Sequence, residues 1–110
     1  MNEIMNLPAT LAKYVEASNA GDAAATVELF SESAVVVDDG AELCGREPIQ
    51  AWIEESTRKY QAQLVPLALE ESGDHTVLCG RVSGNFPGSP IELDFDFVLS
   101  EDKITRLAIK

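Results

Sequence analysis

Residues 91–99 read Ile91-Glu92-Leu93-Asp94-Phe95-Asp96-Phe97-Val98-Leu99, a run in which apolar and acidic side chains alternate. Successive side chains of a β-strand point to opposite faces of the sheet. The odd-numbered positions are apolar and belong in a core, whereas the acids at even positions belong in solvent. Three further segments predict strands, and turn residues separate all four: residues 64–71, 76–84 and 104–110. The second half of the chain therefore predicts an antiparallel meander, with Pro66 at a bulge or an edge.

Helical spacing precedes the strands. Apolar residues that include Leu11 and Tyr14 predict a first helix over about 8–19, which Asn19-Ala20-Gly21 ends. Asp22 is suited to cap a short second helix that continues through Phe30. Ala34-Val35-Val36-Val37 is a β-branched run that stops at the turn signal Asp38-Asp39-Gly40.

A third helix is predicted to begin at Gly45-Arg46-Glu47-Pro48 and to place Ile49, Trp52, Ile53 and Tyr60 on one face. Three helices followed by a meander indicate an α+β domain, with the helices packed on one face of a mostly antiparallel sheet. At 110 residues, the chain is expected to form a single domain over residues 1–110.

Composition excludes several classes of partner. Nineteen acidic residues against eight basic ones give a net charge of −11. Such a chain repels phosphate backbones and anionic lipid, so neither nucleic acid nor a membrane is an expected partner. No apolar run approaches membrane-spanning length.

Cysteine and histidine are too few for the usual metal sites. Cys44 and Cys79 form no Cys-x-x-Cys motif, and His75 is the single histidine. No zinc site, other metal or cofactor is expected from this inventory. Because the N-terminus lacks the features of a signal peptide, both thiols are expected to be reduced and the protein cytoplasmic.

Four short segments carry a resemblance to a known family. They match the patterns Asn-x-Gly-Asp, Leu-Phe-x-x-x-Ala and Gly-Arg-x-x-Ile and a final hairpin motif, and lie at residues 19–22, 29–34, 45–49 and 103–106. Together with the order of elements, they make the chain resemble the nuclear transport factor 2-like superfamily, in particular its SnoaL-like and ketosteroid isomerase-like branches. The resemblance implies a cone-shaped, cystatin-like fold, in which a strongly curved sheet wraps around the helices and leaves an apolar pocket.

The same resemblance assigns candidate site residues. Ketosteroid isomerases use an aspartate to remove a proton beside a ketone, while a tyrosine and a protonated aspartic acid hold the resulting oxygen charge. Carried over by position, Tyr14 matches the tyrosine and Asp38 the base. Phe30, Trp52 and Tyr60 are expected to line the pocket and contact a ligand.

The position that matches the protonated aspartic acid is ambiguous. An ungapped comparison from the last hairpin places Asp94 at the second acid, whereas other alignments place Phe95 or Asp96 there. The alternation of residues 91–99 points both aspartates to solvent. Without that acid, the oxyanion site keeps one donor and loses about 3 kcal/mol of stabilisation.

Each remaining candidate also has a purely structural interpretation. Tyr14 could be a core tyrosine on an apolar helix stripe. Asp38 could serve only the turn at residues 38–40, and Trp52 could serve only packing.

Three functions remain open from the sequence. The first is an isomerase or cyclase that transfers a proton on a small, apolar, enolisable ligand. The second is a module that binds such a ligand without changing it, and the third is a dimerisation module whose cone is filled by its own side chains. The resemblance also implies a homodimer formed through the uncovered face of the sheet, which is the expected oligomeric state.

Overall fold

The structure, a computed structural model, describes residues 7–38 and 40–110. Its helices and strands follow the chain in this order: α1 Ala9–Asn19, α2 Ala23–Val27, β1 Phe30–Asp38, β2 Ala41–Cys44, α3 Arg46–Tyr60, β3 Gln63–Ser72, β4 His75–Ser83, β5 Ile91–Ser100 and β6 Lys103–Ile109. Helical spacing gives way to alternation at residues 61–63, as predicted. Among the described residues, no helix is long and apolar enough to cross a membrane.

The strands form one six-stranded sheet in the order β2-β1-β6-β5-β4-β3. Strand β1 runs parallel to β6, and every other neighbouring pair is antiparallel. The register shifts within the β1–β6, β3–β4 and β5–β6 pairs. Such bulges bend a strand and increase its twist, which curves the sheet towards the helices. The α+β architecture and the mostly antiparallel curved sheet are confirmed.

Pro66 fits both positions proposed for it. It lies in β3, an edge strand, and the register of β3 against β4 shifts between Pro66 and Ala68. Proline lacks a backbone N–H, and an edge strand at a bulge tolerates that loss.

The second helix is shorter than predicted. It ends at Val27, and Phe30 already belongs to β1. The Asp22 side chain caps it by accepting a hydrogen bond from the Ala25 N–H at 3.0 Å. The Ile104 N–H donates to the Leu29 carbonyl at 2.8 Å, so pairing with β6 draws residues 29 and 30 out of the helix.

The core lies between the helices and the concave face of the sheet. Helix α1 contacts β3, and α3 contacts β1 and β2. The alternation of residues 91–99 holds, because Phe95 and Phe97 are buried whereas Asp94 is exposed. The fully buried side chains that fill this space come from both layers: Leu11, Phe30, Val36, Ile49, Leu78, Phe97, Ile104 and Leu107.

Candidate functional site

A cavity of about 200 Å³ opens between α1, α3 and the concave face of the sheet. Its wall is largely apolar and aromatic, with hydroxyl and amide groups towards residues 56–63. The lining residues are Tyr14, Ser18, Asp38, Trp52, Ile53, Ser56, Thr57, Tyr60, Ala62, Gln63, Leu64, Val82, Leu93, Phe95 and Ile109. A concave apolar wall with few polar groups is the usual form of a small-molecule site.

Asp38 reaches this wall because it is the last residue of β1. The Trp52 indole N–H donates a hydrogen bond to Asp38 Oδ2 at 3.1 Å. Helix α3 is also held against β1 at its first residue, where Arg46 Nε donates to the Phe30 carbonyl at 2.9 Å. These two bonds fix α3 along β1, and the bond from Trp52 also holds Asp38 Oδ2 towards the indole.

Tyr14 enters the cavity from the buried side of α1 and is only 5% exposed. Its ring packs edge-on against Phe97 at 5.3 Å and against Phe30 at 6.3 Å between ring centroids. Burial first, and the negative charge of Asp38 second, raise the pKa of Tyr14 above its ordinary value of 10.0. The phenol therefore stays protonated near neutral pH and can donate a hydrogen bond.

This raised pKa predicts a loss of stability in alkali. Below pH 10.0 both the folded and the unfolded chain keep the Tyr14 proton, and the free energy of unfolding is unaffected. Above it the unfolded chain binds fewer protons, so that free energy falls with rising pH by up to about 1.4 kcal/mol per pH unit.

The prediction can be measured in a Tyr60→Phe variant, which leaves Tyr14 as its single tyrosine. Ultraviolet titration of the folded variant should show ionisation only as the fold is lost in strong alkali. The same variant unfolded in urea should titrate near the ordinary tyrosine value. Ionisation near that value with the circular dichroism intact would contradict the burial of the hydroxyl.

The structure brings four of the six candidate residues to one cavity. Tyr14, Asp38, Trp52 and Tyr60 all line it. Phe30 does not, because its fully buried ring packs behind Tyr14 in the core.

Asp94 also lies away from the cavity. Directly opposed residues of an antiparallel pair share a face. Asp94 is opposite Cys79, whereas the buried pair Phe95 and Leu78 occupies the concave face. Asp96 points the same way as Asp94, since its carboxylate lies 2.7 Å from His75 Nδ1. Neither acid lines the cavity, so no second acidic group faces Tyr14 from this strand.

One positioning residue was not identified from sequence. Asn19 Nδ2 donates to the Leu64 carbonyl at 2.9 Å, and its Oδ1 accepts from the Leu64 N–H at 2.7 Å. These two hydrogen bonds fix the end of α1 to the start of β3, where Gln63 and Leu64 line the cavity. The sequence signal was present in the Asn-x-Gly-Asp segment, but there Asn19 indicated only a helix end.

Several solved structures share this architecture. A proposed polyketide cyclase from Sinorhizobium meliloti is 34% identical over 94% of this chain and 95% of that chain, with a TM-score of 0.90. A Catenulispora acidiphila protein with a ketosteroid isomerase-like fold, solved with trimethylamine, is 20% identical over 96% and 86%, with a TM-score of 0.83. A cystatin-fold protein from Novosphingobium aromaticivorans is 17% identical over 93% and 95%, with a TM-score of 0.78.

A match to a family model identifies the family of this chain. The family model of the SnoaL-like domain matches residues 11–106. The chain therefore belongs to the SnoaL-like domain family, as its four segments predicted. No curated protein matches the chain.

Proposed function

We propose that this protein is an isomerase or cyclase that transfers a proton on a small enolisable carbonyl compound held in the cavity. Asp38 acts as the base and Tyr14 as the hydrogen-bond donor. The observation that carries the proposal is that both side chains line one apolar cavity, with the Asp38 charge near enough to raise the pKa of Tyr14.

The reaction follows from the two groups. The Asp38 carboxylate takes a proton from carbon beside the carbonyl, so the C–H bond breaks and an O–H bond forms on Asp38. The electron pair moves to the carbonyl oxygen, where the Tyr14 O–H stabilises the developing charge. In an isomerase, Asp38 then returns the proton to another carbon of the ligand. In a cyclase, the enolate carbon attacks a second carbonyl carbon of the same ligand, so a C–C bond forms while the π bond of that carbonyl breaks and its electron pair moves to oxygen. Asp38 then gives the proton to that oxygen, which restores the carboxylate. Oδ1 is free of the Trp52 bond, and it is the oxygen assigned to the proton.

The size of the cavity restricts the ligand. Drug-sized ligands occupy about 300–1,000 Å³, and this cavity is smaller at about 200 Å³. We therefore assign it a monocyclic or short-chain ketone rather than a large polycyclic one.

Hydrogen exchange at carbon tests the proposal directly. Small cyclic ketones, including β,γ-unsaturated ones, would be incubated with the protein in deuterium oxide and followed by proton nuclear magnetic resonance. The protein should accelerate loss of the signal beside the carbonyl, and the double bond of an unsaturated ketone should migrate. A ketone that binds without exchange would instead favour a non-catalytic binding module, which also fits the cavity. Binding is measurable through the fluorescence of Trp52, the single tryptophan.

We further propose a homodimer formed through the convex face of the sheet. This proposal is supported by half-buried apolar side chains on that face, among them Val77, Val98 and Ala108, while the helices cover the concave face. Val77 lies opposite Glu70 on β3 and Asp96 on β5. An aspartate at position 77 would add a like charge between them and desolvate it in the interface.

Sedimentation equilibrium should therefore give twice the chain mass for the natural protein, and the chain mass for Val77→Asp. Ala12→Asp, which adds the same charge at an exposed position of α1, should remain dimeric. A natural protein that sediments at the chain mass over all concentrations would rule the dimer out. Circular dichroism would establish that both variants are folded.

A further inference from the structure

The cavity carries a negative charge that the described protein does not balance. Among the residues that the structure describes, 7–38 and 40–110, Asp38 is the one charged side chain that lines the cavity, and none of their Lys, Arg or His side chains does. The ion pairs between described residues all lie elsewhere, at Arg58–Glu55, His75–Asp96, Arg81–Glu92 and Lys110–Asp96. Trp52 gives Asp38 a neutral hydrogen bond, which orients the carboxylate but does not cancel its charge.

Four aromatic side chains line the same cavity. Tyr14, Trp52, Tyr60 and Phe95 contribute to the wall. The faces of aromatic rings attract cations, and Trp and Tyr attract them more strongly than Phe does. A carboxylate among several rings is the combination that recognises alkylated ammonium groups, since these groups are charged and present apolar methyl surfaces.

The protein as a whole favours the same ligand charge. Its net charge of −11 raises the local concentration of cations and lowers that of anions around any opening. An anionic ligand would meet Asp38, and the described part of the wall has no basic residue to offset the repulsion.

We propose that the natural ligand of this cavity carries a small organic cation, a quaternary or protonated tertiary ammonium group, with Asp38 as its counter-ion and the aromatic rings around its alkyl groups. This inference rests on the proposed function in using the same cavity and the same carboxylate. A positive charge beside the reacting carbonyl also stabilises an enolate, which offsets the absence of a second acidic donor opposite Tyr14.

The test compares two probes of nearly equal shape. Choline carries the quaternary nitrogen, and 3,3-dimethyl-1-butanol has a neutral carbon in its place. Each would be titrated into the natural protein and followed by Trp52 fluorescence and by calorimetry. Choline should bind at least about tenfold more tightly, since a desolvated cation–π and carboxylate contact is worth at least that factor.

Asp38→Asn should remove this preference while leaving the affinity for 3,3-dimethyl-1-butanol within about threefold, since the amide oxygen can still accept the Trp52 bond. Asp74→Asn makes the same charge change at the exposed β3–β4 turn and should keep the preference. Calorimetry is needed for Asp38→Asn because that change also alters the surroundings of the indole.

Equal affinities for the two probes, tighter binding of the neutral one, or binding of neither would overturn the cation proposal, and so would a choline preference that survives in Asp38→Asn. The comparison in the natural protein stands even if that variant does not fold. Carbon-bound hydrogen exchange reports separately on the proposed function. Hydrogen exchange without a preference for choline would support proton transfer and overturn the cation proposal. A preference for choline without exchange would support a cation-binding site that is not catalytic.

Discussion

Asp38→Asn is expected to lower protein-catalysed hydrogen exchange by about a hundredfold to ten-thousandfold. A positioned general base contributes a factor of this size, and an amide cannot take up the proton. The substitution is nearly isosteric, and its carbonyl oxygen can accept the Trp52 N–H in place of Oδ2. The loss would therefore report on proton transfer rather than on the shape of the cavity.

Asp74→Asn is the matched control for this experiment, because it removes the same charge from an exposed turn. Its exchange rate should equal that of the natural protein. Circular dichroism would first show that Asp38→Asn is folded. If this variant then catalyses hydrogen exchange at a rate within threefold of the Asp74→Asn rate, Asp38 is not the base.

The number of hydrogen-bond donors that face the developing oxygen charge limits the rate of turnover. Removing one preorganised donor from an oxyanion site costs about a hundredfold to a thousandfold. Asp94 and Asp96 project from the convex face, so from β5 only apolar side chains, Leu93 and Phe95, line the cavity. We therefore expect turnover well below that of a site with two donors, unless the ligand brings its own positive charge.

The fold was largely predictable from periodicity. The four strands of the meander run for seven to ten residues each between turn residues, and α1 and α3 have clear apolar stripes, so their limits fall within two residues of those predicted. Strand β2 was not predicted, because its four residues are mostly exposed and lie between a turn and the N-terminus of α3. The parallel pairing of β1 with β6 joins segments about 70 residues apart, a relation on which local patterning has no bearing.

The candidate site depended more on resemblance than on local pattern. Resemblance proposed Tyr14 and Asp38, and both line the cavity, although their catalytic roles stay predictions. Resemblance also proposed that Phe30 lines the pocket. Phe30 is instead the first residue of β1, and this position buries its ring behind Tyr14. The bond between Trp52 and Asp38 could not be foreseen, because it joins the end of a strand to the middle of a helix and requires their relative placement. For Asp94, the alternation of the strand correctly predicted exposure to solvent, whereas the ungapped alignment placed it in the site.

Phe97→Ala should produce the largest loss of stability among single substitutions near the site, about 3–5 kcal/mol. The Phe97 side chain is fully buried, lies opposite Thr76 and Leu107 in the sheet, and supports the Tyr14 ring at 5.3 Å. Truncation leaves a void behind Tyr14 that the curved sheet cannot close, and it removes an aromatic contact. Domains of this size are stable by about 5–15 kcal/mol, so much of the folding free energy would be lost.

Urea unfolding would measure this loss, with Phe86→Ala as the matched control. Phe86 also packs edge-on against a tyrosine, Tyr60, at 5.8 Å, but it lies half-buried in the β4–β5 connection. Its truncation should cost roughly a third as much, since less apolar surface leaves contact with protein. Similar losses in the two variants would mean that Phe97 does not support the site more than a peripheral ring does. A larger loss in Phe97→Ala would show that the ring packed against Tyr14 contributes more to the stability of the core than a peripheral ring does.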